Sequence, residues 1–472
     1  MATVVAGWDW AEIDPAESFL QPMKPEYPAG KRGLVFSRIP GGHRMSRGVF
    51  GLAILAIGLL SGTAAHAQFG PILNGVGPVN KSMAGASTAA PLDTLGAFMW
   101  NPATISALPN STDFGLEVLM PYSKLSSSVA NGAFAGGTSS QPGAFPLPEF
   151  GVVYRPDDSA VTYGVGVLAV AGFGVNYPGD PSNPLLSAPP PKGIGVGPVF
   201  SQYSLLQLVP TVAYDVNDQL TLGFSPIVDI ASVNLDPGFV TSPDATGGAF
   251  PSYPPMTHGS YQWGAGFQLG VWYKTDGDWN FGASYKSQQW FNPFTYNSRN
   301  QIGEPVSARF LLNAPMITSV GTSYNGFENW LLALDLRYLD FANTPPFSGS
   351  GFSSTGAVQG LAFNNVFALA TGAQYTLSDQ ASLRMGYSYS TNPIANSNAY
   401  FNVASPVIIQ HGLTLGGSYR ITDSFNVSLA YGHFFGNSVT GPLLSPAGPI
   451  PGTSLTSEAS ADSVTIGTSV LF

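Results

Sequence analysis

WLLALDLRYLDF, residues Trp330 to Phe341, is the stretch from which the fold class is read. Even positions run Trp330, Leu332, Leu334, Leu336 and Tyr338, while the odd positions include Asp335 and Arg337. A strand repeats every two residues, so this segment has one apolar face with an aromatic near each end and one face carrying an ion pair. A soluble sandwich would bury that apolar face and expose the charges. The flanking aromatics instead match the interfacial girdles of a transmembrane barrel, which leaves the charges facing a lumen. The pattern recurs. Leu383, Met385, Tyr387 and Tyr389 alternate with Ser382, Arg384, Gly386 and Ser388, and Phe425, Val427, Leu429 and Tyr431 alternate with Ser424, Asn426 and Ser428. The inner face is therefore Gly, Ser, Asn and Gln with a few charges, as expected of a wet or plugged bore.

Composition points the same way. Of 472 residues only 9% are charged and 12% are aromatic, with 56 Gly and 40 Pro. Soluble domains carry about 25% charged residues. Outside the N-terminal region no apolar run approaches the roughly 20 residues a membrane helix needs. Backbone groups in lipid must be satisfied internally, so a closed β-barrel is the remaining spanning structure. Net charge is −10, which argues against nucleic-acid binding, and the absence of cysteine removes disulfides and thiolate sites.

Turns and loops alternate along the chain. Short polar turns fall at 156–159, 216–219, 275–278, 325–328, 377–380 and 421–424, and long Gly/Pro/Ser-rich loops lie between them. Six turns and seven loops require fourteen strands, with short turns facing the periplasm and long loops the exterior. Pro315 interrupts the eighth window, 309–324, which is read as one bulged strand because a split would give an odd count.

Ahead of the strands, Arg44 and Arg47, the apolar run Val49–Leu60 and Ala65-His66-Ala67 form a secretion signal with a small-residue cleavage site. Residues 1–67 are accordingly expected to be removed as an upstream extension and signal peptide. Residues 68–109 lack strand alternation, are rich in Gly and Ala, and close on Asn101-Pro102-Ala103; they are expected to form a hatch inside the barrel of residues 110–472. Asn101 suits a turn in which its side chain bonds local backbone.

Taken together, Asn101-Pro102-Ala103 at this distance from the cleavage site, Leu312-Asn313-Ala314-Pro315-Met316, Ser388–Pro393 and the terminal Phe472 make the chain resemble a known family. That family is the outer-membrane long-chain fatty-acid and aromatic-hydrocarbon transporters of FadL/TodX type. The resemblance implies an all-β, fourteen-stranded antiparallel transmembrane barrel with an N-terminal hatch, located in the bacterial outer membrane. It also implies passive uptake of hydrophobic molecules: capture among external loops, a lumenal pocket, a hatch rearrangement and lateral release at a kink in the third strand. In this sequence the kink candidate is Ala171 with Gly172, Phe173 and Gly174, although these glycines could equally make room for the hatch.

Candidate ligand contacts among the loops are Phe200, Phe239, Phe250 and Phe294, each of which could instead only pack its loop. A carboxylate ligand would want a cation, for which Lys286, Arg309 and Arg384 have lumen parity; Arg337 is expected to pair with Asp335. No catalytic constellation, metal-ligand cluster or cofactor motif is present, so neither an enzyme nor a cofactor is expected. The expected partners are a hydrophobic small molecule, outer-membrane lipid and lipopolysaccharide, and the barrel assembly machinery through Phe472, with the protein a monomer. A porin for polar solutes and a surface adhesin or structural barrel are the rival functions.

Overall fold

The computed structural model describes residues 69–246, 250–257 and 259–472. The expected leader and cleavage site, Gln68 and His258 lie outside them. Fourteen strands close into one antiparallel barrel. The first seven are β1 (Ser111–Val129), β2 (Phe145–Tyr154), β3 (Val161–Tyr177), β4 (Val199–Asp215), β5 (Leu220–Asp236), β6 (Gln262–Lys274) and β7 (Trp279–Lys286). The rest are β8 (Ile317–Tyr324), β9 (Trp330–Leu339), β10 (Val366–Thr376), β11 (Ala381–Ser390), β12 (His411–Thr422), β13 (Phe425–Gly441) and β14 (Ser454–Leu471). Each strand pairs with its successor, and β1 closes the cylinder by pairing with both β14 and β2.

The face assignments hold where they were clearest. On β9, Trp330, Leu332, Leu334 and Leu336 are exposed outward while Ala333, Asp335 and Arg337 are buried inward. Six short turns lie at one end and seven long loops at the other. The strands run further into the loop end than the alternation suggested: β1 and β14 stay paired as far as Ser128 opposite Ser454.

The eighth window is a correction. Residues 309 and 310 belong to a loop hairpin, Phe294–Arg299 with Pro305–Phe310, outside the barrel sheet, and β8 begins only at Ile317. Pro315 cannot donate to a ladder, so the continuous strand stops short of it; on its far side a single bridge between Ala314 and Gln289, in the same register, holds the chain to the wall before the hairpin. The count of fourteen survives because the hairpin never enters the wall.

The hatch contains helix α1 (Pro78–Ser82), helix α2 (Thr94–Trp100) and a 3-10 turn (Pro102–Ala107). It crosses the bore: α1 packs against β11–β14, and the 3-10 turn packs against β4–β6. The lumen-facing glycines are explained by this contact. A Cβ added at Gly282 would sit 2.0 Å from the Thr88 carbonyl oxygen, one at Gly386 2.4 Å from the Ala84 nitrogen, and one at Gly223 2.2 Å from the Ala103 nitrogen. The wall is thinned to backbone where the hatch touches it, so the lumen is plugged rather than wet. Within the hatch, Gly85 adopts φ +87° with its α-carbon face against the Asn74 carbonyl, a position open only to glycine.

Candidate functional site

Four features bear on function: the anchors holding the hatch, a slot in the wall, a cavity in the lumen and an apolar groove among the loops.

The anchors are charged groups buried in the lumen. The Asp335 carboxylate accepts hydrogen bonds from the backbone N–H of Ser87 (2.9 Å) and of Thr88 (2.9 Å) and from the Thr88 hydroxyl (2.8 Å). Arg337 pairs with Asp335 at 2.6 Å, donates to the Gly85 carbonyl at 2.6 Å and lies 3.6 Å over the Trp100 ring. On the opposite wall Lys81 of α1 pairs with Glu117 of β1 at 2.9 Å, both fully buried. Buried charges persist only when paired and hydrogen-bonded, so these contacts define where the hatch sits. Asn101 contributes neutral bonds. Its amide donates to the carbonyls of Thr88 (2.7 Å) and Val271 (3.0 Å), and its side-chain oxygen accepts from the Ala103 N–H. The expected local turn is therefore joined to a bond with the wall, at β6. Pro102 follows at the first position of the 3-10 turn, where a missing N–H costs nothing.

Asp93, which precedes α2, is half-buried in the hatch, with one carboxylate oxygen shut off from solvent. Burial, reinforced by the nearby Asp113 carboxylate, pushes its pKa up to about 7.

The slot lies between β2 and β3. Their ladder runs from Tyr154 opposite Tyr163 to Glu149 opposite Leu168 and ends there. Beyond it, residues 145–148 of β2 ladder only with β1 and the rest of β3 ladders only with β4, the gap being bridged at its outer end by the Gln141 N–H, which donates to the Asn176 carbonyl at 2.8 Å. Pro146 and Pro148 supply no N–H on the β2 side. On the β3 side a bulge separates Ala169 from Ala171, leaving Val170 as the extra residue. Residues 168–172 are all buried, so the in-out alternation breaks down at this point. The distortion is centred on Val170 and adjoins the glycine stretch singled out from sequence. Gly172 receives the Leu147 side chain across the slot, and Phe173 packs edge-on to Tyr203 at 5.8 Å. Gly174 lies against the Ser201 carbonyl of β4.

One small cavity, with room for about one water in its present form, lies at this slot. It is lined by Ile72, Met99 and Trp100 of the hatch, Val170 of the bulge, and wall residues that include Leu205, Gln207 and Lys286. The Lys286 ammonium donates to Gln207 at 3.3 Å, and Gln207 donates onward to Asp229 at 2.7 Å. Lys286 has no direct ion pair among the described residues, so its charge is balanced only at second hand. The other is a small apolar groove among the loops lined by Leu185, Phe239, Tyr253, Phe352, Tyr400 and Phe401 with smaller aliphatics.

The sequence-derived candidates scatter across this arrangement. Phe239 lines the loop groove and Lys286 the lumenal cavity. Phe294 is buried beside Phe291, Phe200 is half-buried on β4, and Phe250 is exposed on its loop. Arg384 donates to Gln374 and Ser418 at 2.6 Å each, away from both cavities. Arg309 is a correction: its lumen parity fails because it sits exposed on a loop hairpin, opposite Thr295, outside the barrel sheet. Sequence reasoning missed Lys81 and Glu149. The available signal was that Lys81 is the sole basic residue between Gln68 and Leu108, in a segment meant to be enclosed.

A closed fourteen-stranded barrel with girdled outer face, periplasmic turns and a hatch in its bore defines a plugged outer-membrane channel of bacteria. Residues 62–472 match the outer membrane protein transport protein family (OMPP1/FadL/TodX), and the chain belongs to that family. No curated protein matches the chain. Among solved structures it resembles the Pseudomonas putida toluene transporter TodX, with a TM-score of 0.64 and 19% identity over 84% of this chain and 99% of that one. A Pseudomonas aeruginosa FadL homologue gives 0.64 at 16% identity, covering 85% and 100%. The Ralstonia pickettii toluene transporter TbuX gives 0.61 at 20%, covering 84% and 99%. At these identities the likeness is one of fold.

Proposed function

We propose that this protein carries hydrophobic molecules, long-chain fatty acids or aromatic hydrocarbons, passively across the outer membrane. The observation that carries the reading is the slot between β2 and β3 with an apolar cavity directly behind it. A water-filled pore offers an apolar solute nothing, whereas an apolar cavity supplies about 25 cal/mol per Å² removed from water. Cargo captured by the loop groove would pass to the lumenal cavity, and hatch movement would let it leave sideways through the slot into lipid without a second exposure to water. Lys286 is suited to an acceptor head group such as a carboxylate, being a buried ammonium with one long hydrogen bond. The protein would act as a monomer among outer-membrane lipid and lipopolysaccharide. Phe472, exposed at the end of the chain, would be read by the barrel assembly machinery.

The porin reading is disfavoured by the hatch, which fills the bore, and the adhesin reading leaves the slot and cavity without a purpose. Uptake of labelled oleate and of toluene in a deletion strain, with and without the gene restored, tests the proposal. Gene-dependent uptake of either is expected. Equal uptake in both strains, or gene-dependent leakage of sugars alone, would overturn it.

A further inference from the structure

Both lips of the slot are tied to one short piece of the hatch. On the β3 lip, the carbonyl of the bulged residue Val170 accepts a hydrogen bond from the Leu73 N–H at 3.1 Å. On the β2 lip, the Glu149 carboxylate accepts one from the Gly77 N–H at 2.8 Å. Residues 73–77 thus span from one lip to the other. Glu149 is also the last residue of β2 paired with β3, so its side chain and the end of the ladder share one residue.

The position is shaped for this contact. Glu149 is buried, and its second carboxylate oxygen has no partner. Gly115, opposite it on β1, leaves the carboxylate its room, since a Cβ there would lie 2.4 Å from it. Asn80 braces the same segment by accepting from the Val76 N–H at 3.1 Å, and the Lys81–Glu117 pair fixes α1 behind it. A carboxylate with one bond and an unsatisfied oxygen in a buried site is held at a cost, and moving the hatch away would free it to be hydrated.

We propose that Glu149 is a positioning residue for lateral release: it holds the hatch segment Leu73–Gly77 across the slot, so that withdrawing the hatch and parting the β2 and β3 lips are a single event. The proposal rests on the transport reading above and adds the residue that couples the two movements. Leu147, two residues along the same face, then swings clear of Gly172 as the lips part.

The test uses the full protein in lipid nanodiscs with spin labels at Ala144→Cys, just before β2, and Pro178→Cys, just after β3, both exposed and one beside each lip. Amide exchange at Leu73 and Gly77 is read in parallel on the unlabelled protein. E149A, and E149D, which withdraws the acceptor by one methylene but keeps the charge, are expected to lengthen and broaden the lip-to-lip distances. Both should raise exchange at the two amides about tenfold, the loss of one buried hydrogen bond. E149Q keeps an acceptor oxygen and should stay near the parent in both readouts. Unchanged distances and exchange in E149D, or E149Q as loosened as E149A, would overturn the proposal. A parent protein that carries neither oleate nor toluene would sink the transport reading while these distances were still measured. A competent transporter with lips indifferent to E149D would sink only this inference.

Discussion

Replacing Asp335 by Ala strips the hatch of three hydrogen bonds at once, those from the Ser87 and Thr88 N–H groups and the Thr88 hydroxyl, and strands the buried Arg337 without its counter-ion. Removing one member of a buried ion pair costs about 3–5 kcal/mol, because the remaining charge is left uncompensated. The barrel need not bear that cost. The backbone of residue 335 stays paired with Gly321 and Ala370 whatever its side chain. Arg337 can be relieved only by hatch displacement, which admits water to it. At about 1.4 kcal/mol per tenfold, the docked-to-undocked ratio of the hatch should fall between about a hundredfold and a few thousandfold. Planar-bilayer conductance reads this as ion leak through a bore that is closed in the parent, and amide exchange at residues 85–88 reads it directly. Asp335→Leu combined with Arg337→Met removes both charges, so no stranded ion remains, and the double variant should leak less than Asp335→Ala. Parent-like conductance and exchange in the single variant, or a double variant leakier than the single, would refute the reasoning that charge pairing locks the hatch.

Asn101→Ala should loosen the far end of the hatch, since each buried bond left unmade costs about 1–3 kcal/mol; protease sensitivity after Trp100 measures it. Gly270→Ala should give the same phenotype from the wall side, because its Cβ would fall 2.1 Å from the Asn101 side-chain oxygen. Asp93 binds its proton more tightly in the docked hatch than when free, with a pKa of about 7 against the ordinary value of 3.8. Its contribution to docking is therefore complete below about pH 4 and fades as pH rises through about 7. Hatch exchange should quicken over that window, and Asp93→Asn should flatten the profile. Lys286→Met should lower gene-dependent uptake of oleate about tenfold or more while leaving toluene uptake within a factor of a few; equal loss of both would show that the ammonium shapes the cavity rather than reading a head group.

How far the sequence reaches depends on the range of the interaction concerned. Alternation with period two is a local property, so the stretch Trp330–Phe341 alone places Asp335 and Arg337 on the lumen face and even pairs them. Strand number follows from turn spacing for the same reason. The shortness of glycine, serine and asparagine side chains on that face fits a wet or a plugged bore alike, and only packing shows that the bore is filled and which atom of the hatch each glycine admits. Pro315 marks the limit: the missing N–H is visible in the sequence, but whether the chain bulges there or leaves the wall depends on what lies beside it, and Arg309 was misplaced on that account.

The sequence by itself determined a fourteen-stranded barrel, the orientation of its ends, the face on which most side chains lie and a non-strand segment that must be enclosed, because each is written in spacing between near neighbours. Tertiary structure alone decided that Lys81 meets Glu117, that Asp335 holds Ser87 and Thr88, that the β2–β3 ladder stops at Glu149, and that residues 73–77 bridge the two lips. Those contacts join groups far apart in the chain. Their energies arise from burial and charge pairing that exist only once the wall has closed around the hatch.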